Sequence, residues 1–255
     1  MNKIPKTIHY CWFGRGEKPK LAKKCIKSWK KCLPDYEIIE WNEDNFDINS
    51  NLYVKQAYEA KKYAFVSDYV RLYALYNYGG IYMDTDVEVL KSLDRFLEYE
   101  AFTGFESKEF CVTGIMGSKK ENKMIREFLE PYKSLRFIND DGSFNQTTNV
   151  YMMTDIFMKY GVNLNNTQQN INDMEIFPKT YFCPLNYGDA QTDFSKDTYT
   201  IHHFAGSWLP EEIQKSIKKK RLYDKRKAFL CKYMSERNAT IILDFKWILK
   251  NKVSK

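Results

Sequence analysis

The sequence lacks the features that would take it out of the ordinary globular proteins. No apolar run approaches the ~18 residues of a membrane-spanning helix. The opening, MNKIPKTIHYCWFG, holds no apolar segment of the secretory-signal type, so a cytoplasmic protein is expected. Six cysteines are scattered at Cys11, Cys25, Cys32, Cys111, Cys183 and Cys231, with no C-x-x-C spacing. That argues against a zinc site and a disulfide framework and for buried, reduced thiols. There are three histidines in 255 residues, so any histidine ligand must come from that small set. Internal repeats and low-complexity segments are absent, and the length suits one sizeable α/β domain or two small ones.

Charge is unevenly placed. The net charge is +7, but from Lys215 onward fourteen Lys/Arg face three acids, which leaves the body mildly acidic. Such a tail is a solvated helix face, or it meets an anionic membrane surface or nucleic acid. The expected organisation is residues 1–210 as one domain and 211–255 as a basic helical extension.

Hydrophobic periodicity places the elements. A strand is expected over Thr7–Phe13, a helix over Leu21–Lys31, and a second strand in YEIIEW, which is the start of a parallel sheet. A helical pattern runs from Leu52, and another, YAFVSDYVRLYALYNY, stops at Gly79-Gly80, where glycine supplies the left-handed cap. A short buried strand, IYMD, follows. Strands are expected in EAFTGFE, CVTGIMGS, EIFPKTYFCPLNY and TYTIHHFAG, and helices over 122–135, in NVYMMTDIFMKYG and in the tail.

Asp84 and Asp86 flank one threonine at the end of the IYMD strand. Two carboxylates on one side of a strand repel, and burying them is costly unless they are paired. A divalent cation removes both problems, and ligands bind α/β folds at carboxyl strand ends. Asp-x-Asp alone is more often a solvated turn. Asp68 and Arg71, three apart on the preceding apolar helix, share a face. Either they form a private salt bridge, or they reach into the same cleft. His202 and His203 stand before a Gly-Ser-Trp loop, and in a strand at most one of them serves a given site. Asp, Asp and His without sulfur suit Mn²⁺ or Mg²⁺. Trp12, at the end of the first strand, is a core residue or a stacking platform for a base.

Taken in order, IPKTIHYCWFG, SWKKCLPDYEIIEWN, AFVSDYVRLYALYNYGGIYMDTDVEVL and TIHHFAGSW resemble the DXD-motif sugar transferases of glycosyltransferase family 32 over roughly the first 210 residues. The resemblance is closest to bacterial surface-polysaccharide members, and the layout is also similar to Golgi mannosyltransferases and clostridial toxin glucosyltransferase domains. It implies a GT-A fold, a single Rossmann-like α/β domain with a mixed central sheet. It also implies a nucleotide-sugar donor, Mn²⁺ or Mg²⁺, and retention of configuration. Carried over by motif, Trp12 stacks on the base, Asp68 and Arg71 contact the sugar, and Asp84 reaches ribose and sugar. Asp86 binds the metal with Asp84, His203 in HFAG adds a ligand, and Ser207 and Trp208 contact the β-phosphate. Relatives carry Gly-Pro where this chain has Thr148-Asn149, at a helix head that faces sugar or acceptor.

The function the resemblance implies is hexose-type transfer, with a UDP-sugar favoured, to a glycan or lipid-linked acceptor in surface polysaccharide synthesis. The tail would touch the inner membrane face, and no nucleic acid is expected. The main alternative is an inactive or carbohydrate-binding module on the same fold. A phosphatase fits poorly, because Glu88 stands where its motif requires Thr or Val.

Overall fold

The computed structural model describes residues 3–112, 114–185, 193–206, 209 and 211–252, without the side chains of 211 and 245–252. The chain divides into two compact units: residues 1–184 with 193–204, and residues 185–192 with 205–255.

The first unit is built on a seven-stranded mixed sheet. Its strands are β1 (Thr7–Cys11), β2 (Glu37–Trp41), β3 (Gly80–Met83), β5 (Ala101–Gly104), β6 (Ile115–Ser118), β7 (Gln169–Ile171) and β8 (Met174–Phe177), in the order β2-β1-β3-β6-β5-β8-β7. β1 lies parallel to β2 and to β3, whereas β6 runs antiparallel to both β3 and β5. A second, two-stranded sheet pairs β4 (Val87–Val89) with β9 (Thr200–His202) in antiparallel register.

Helix α1 (Lys20–Cys32) follows β1 and buries Ala22, Cys25 and Trp29 while its lysines face outward. This is the amphipathic split that its spacing predicts. Trp29 donates from Nε1 to the Val87 carbonyl at 2.7 Å, so α1 fixes the edge of the second sheet. Helix α2 (Leu52–Glu59) is capped by the Asn51 side chain, which accepts from the Val54 N–H. Helix α3 (Tyr63–Tyr78) packs across the sheet with Phe65, Val66, Val70, Leu72 and Leu75 buried. Along with these it buries Asp68 and Arg71.

Three sequence expectations change in the structure. The long helix expected over 122–135 is α4 (Lys123–Leu129) followed by a 3-10 turn over Glu130–Lys133, with Pro131 at the break. Pro178 ends β8 and opens the short helix α6 (Lys179–Phe182), so EIFPKTYFCPLNY is not one strand. Asp84 lies outside β3: the Val87 N–H donates to the Asp84 carbonyl at 2.9 Å, which makes Asp84–Val87 a β-turn between β3 and β4. Helix α5 (Asn149–Lys159) is close to its expected span. The second unit contains α7 (Glu211–Leu230) and α8 (Glu236–Lys252). Among the described residues, no helix is long and apolar enough to cross a membrane.

The passage from α3 to β3 depends on two glycines. Gly79 and Gly80 have φ of 68° and 106°, and a Cβ on Gly80 would lie 2.6 Å from the Thr7 carbonyl oxygen. Gly80→Ala should cost about 1–3 kcal/mol by strain alone, with more from the clash with β1. Denaturant unfolding would show the loss, and unchanged stability would contradict this account of the junction.

Candidate active site

The site forms where β3, the Asp84–Val87 turn, α3 and β9 meet. Buried β3 ends in Tyr82 and Met83 and delivers Asp84, whose N–H donates to the Gly114 carbonyl at 2.8 Å. Arg71 reaches over from α3. Its Nη2 is 3.0 Å from Asp84 Oδ1 and 3.2 Å from Asp68 Oδ1. The guanidinium lies 4.5 Å from the Tyr82 ring centroid, and the Tyr82 hydroxyl donates to Asp84 Oδ1 at 3.0 Å. The Asp68/Arg71 salt bridge is therefore not private, because Arg71 also joins it to the aspartate turn.

β9 supplies the histidine. Register pairs Val87 with His202 and Glu88 with Ile201. Residues opposite each other share a face, so His202 lies on the Val87 side and His203 on the Glu88 side. Donor atoms of Asp84, Asp86 and His202 all lie within 4.8 Å of one another, with His202 Nε2 3.4 Å from Asp86 Oδ1. His203, the histidine expected from the motif, has its Nε2 2.8 Å from Glu88 Oε2, and Glu88 also pairs with Lys24 at 2.7 Å. The strand register decides which imidazole faces the turn.

The donor set fits a divalent cation of the Mn²⁺ or Mg²⁺ kind. His202 Nδ1 is buried without a hydrogen-bond partner and faces Glu106 Oε2 across 3.7 Å. A carboxylate behind a ligating imidazole fixes its tautomer and ring orientation. Gly114 leaves room for the cluster, since a Cβ there would sit 3.0 Å from Asp84 Oδ2 and 3.2 Å from His202 Cε1.

Burial pushes Asp68 up to about 7, with Arg71 opposing and Asp84 adding to the rise. Burial likewise pushes Glu106 up to about 7, against the pull of His202. Burial disfavours a charged His202, yet the Asp86 carboxylate holds it well above 6.5. Arg71 stays charged, because the carboxylates around it, Asp84 first, outweigh its burial.

At the head of α5, the backbone N–H of Asn149 is directed at the Asp68 carboxylate. Asn149 is 3% exposed, and its Nδ2 has no hydrogen-bond partner among the described residues. Trp12 follows β1 and donates from Nε1 to the Gly16 carbonyl at 2.6 Å, with Lys18 Nζ 5.6 Å from its ring centroid. Ser207 and Trp208 lie outside the described residues. Glu106, Tyr82 and Gly114 carried no signal in the sequence. Asn149 was visible as a departure from Gly-Pro, but not as a buried donor.

A mixed α/β sheet with a carboxylate–histidine cluster at the turn after a central strand defines a metal-ready ligand site. Residues 19–103 match the family described as "Glycosyltransferase sugar-binding region containing DXD motif". The fold is that of the solved PaToxG glycosyltransferase, with TM-score 0.50 and 21% identity over 62% of this chain and 70% of that one. Residues 19–103 therefore resemble the sugar-binding region of DXD glycosyltransferases, and the fold is of the GT-A type. It is 32% identical over 124 residues to an inositol phosphoceramide mannosyltransferase of Schizosaccharomyces pombe, or 46% of this chain and 34% of that protein. It thus spans about a third of that relative. An uncharacterized glycosyltransferase of Acanthamoeba polyphaga mimivirus is 28% identical over 81% of this chain and 84% of its own length.

The raised carboxyls set a pH dependence. Asp68 and Glu106, raised to about 7 in the fold, have ordinary values near 4 when unfolded. The folded state therefore binds more protons than the unfolded state between those values. The stability associated with these protons is complete below pH ~4 and lost as pH rises through ~7. A cation bound by His202 must displace the proton that Asp86 favours on it, so it should raise the melting temperature more at about pH 7.5 than at about pH 5.5. Thermal melts with Mn²⁺ and with EDTA would show this, and a larger shift at the lower pH would contradict it.

Proposed function

We propose that the chain transfers a hexose-type sugar from a nucleotide-diphosphate donor to a glycan or lipid-linked acceptor, retaining anomeric configuration, with Mn²⁺ or Mg²⁺ held by Asp84, Asp86 and His202. The observation that carries the reading is the joining of this cluster to Asp68 through Arg71. A sugar-orienting pair and a diphosphate-binding cluster in contact are what a glycosyl donor requires on its two sides. The cation, when bound, neutralises the leaving diphosphate as a Lewis acid.

The chain's own residues do the rest. Arg71 keeps its fork on Asp84 and Asp68, so both carboxylates face the ligand in fixed positions. Asp68, accepting from Arg71 and from the head of α5, orients the sugar hydroxyls. Glu106 is directed at His202 and so serves as an orienting group, which leaves front-face attack by the acceptor hydroxyl as the favoured course. Trp12 stacks on the base, for which uracil is expected. The roles of Ser207 and Trp208 on the β-phosphate rest on the resemblance. The S. pombe relative, named a mannosyltransferase acting on inositol phosphoceramide, supports mannose among the donors and a lipid-borne acceptor. Asn149 presents a buried, unpartnered amide beside Asp68 and is the donor placed to read one sugar hydroxyl.

The test is nucleotide release from a panel of UDP- and GDP-sugars, mannose donors included, with Mn²⁺ and with EDTA. One donor should be hydrolysed, with a loss of at least ~100-fold in EDTA or in Asp86→Ala. Mn²⁺-dependent binding of a donor without turnover, even with an acceptor extract, would favour a binding module. The absence of any Mn²⁺-dependent donor binding would overturn the transferase reading. Asn149→Ala should change the ranking among donor sugars by about tenfold or more while melting as the wild type does. A uniform loss across all donors would deny it a role in sugar choice.

A further inference from the structure

The second unit carries a surface that the transfer reaction does not use. Helix α7 has eight Lys/Arg against three acids. Leu222 and Phe229 on it, and Tyr233 in the turn that continues it, are 50%, 59% and 74% exposed. At a helix's rotation of ~100° per residue these three lie within about 40° of one another. The Phe229 and Tyr233 rings pair with centroids 5.5 Å apart. The same rotation places Lys218 and Lys225 along one side of this apolar strip and Lys219 and Arg226 along the other, and all four are exposed. None of the four forms an ion pair with any described residue.

Between Lys215 and Lys232 the chain contains one acid, Asp224, and it is turned away. Its Oδ2 is buried, on the opposite side of the helix. Lys227 is likewise engaged, pairing with Glu236 at 2.8 Å across to α8. The outward face is therefore cationic at both borders and apolar along its middle, with no acid in it.

We infer that this face of α7 docks on an anionic phospholipid surface. Leu222, Phe229 and Tyr233 enter the headgroup boundary, and Lys218, Lys219, Lys225 and Arg226 meet the lipid phosphates on either side. The chemistry selects this partner from both ends. Aromatic side chains with a polar tip suit the boundary between hydrocarbon and water. Flanking cations gain from a negative surface potential, which falls off within a Debye length. A second copy of the chain fits poorly, since pairing two such faces opposes like charges. This inference does not depend on the transferase reading, because it concerns lipid binding with no donor present.

The test is partition of the full chain onto vesicles by sedimentation. Vesicles of phosphatidylcholine with about 30% phosphatidylglycerol would be compared with phosphatidylcholine alone, at ~0.1 M and ~0.5 M salt. Three proteins would be used: wild type, Phe229→Ser/Tyr233→Ser, and Lys225→Glu/Arg226→Glu. Both variants alter exposed positions, and equal melting temperatures would show that they fold. Wild type should partition onto the anionic vesicles, with a loss of about tenfold or more on neutral vesicles, at high salt, and in each variant. No partition, equal partition onto neutral vesicles, or full binding by the Phe229/Tyr233 variant would overturn the inference. So would tighter retention on a single-stranded oligonucleotide than on anionic vesicles at ~0.1 M salt.

Discussion

Arg71 is a buried cation, 8% exposed, held between Asp68 from its own helix and Asp84 from the turn after β3. A charge in that position is tolerable only while both carboxylates are present and aligned. Removing one partner from a buried ionic set costs about 3–5 kcal/mol, because the remaining charge is left uncompensated. The cluster therefore does more than hold a ligand. It ties α3 to the end of β3 and fixes the direction in which the Asp84–Val87 turn leaves the sheet. Tyr82 completes the tie from below, with its ring against the guanidinium and its hydroxyl on Asp84.

Everything further out in the site inherits its position from that turn. β4 begins at Val87 and is held by α1, through Trp29 on the Val87 carbonyl and the Ser28 hydroxyl on the Val89 N–H. β4 in turn sets the register of β9, which arrives from more than a hundred residues downstream. One residue of slip would exchange His202 for His203 at the cluster, since side chains alternate along a strand. The second sheet is small, yet it decides which imidazole faces the two aspartates. His203 takes the other direction, onto Glu88 and its lysine partner, where it braces the strand.

Local patterns were legible in the sequence, and partnerships were not. The apolar spacing of α1 and α3, the glycine stop at Gly79 and the strand leading to Asp84 could all be read, because each depends on residues a few positions apart. The two aspartates and the Asp68/Arg71 pair were likewise found by proximity in sequence. The short strand β4 was missed. Three residues, Val87–Glu88–Val89, are too few for alternation to register, and the pairing that makes them a strand is with β9. The choice between His202 and His203 at the turn depends on the same pairing. Glu106 and Asn149 came last: one sits after β5 and the other heads α5, and only tertiary packing brings them to the cluster.

The central claim is that Asp84, Asp86 and His202 form one cation site. It is tested most directly by electron–nuclear spectroscopy of the protein loaded with Mn²⁺. The account predicts coupling to the nitrogen of a single imidazole, lost in His202→Ala and kept in His203→Ala. A bound ion with no nitrogen coupling, or one whose coupling survives in His202→Ala and disappears in His203→Ala, would contradict it.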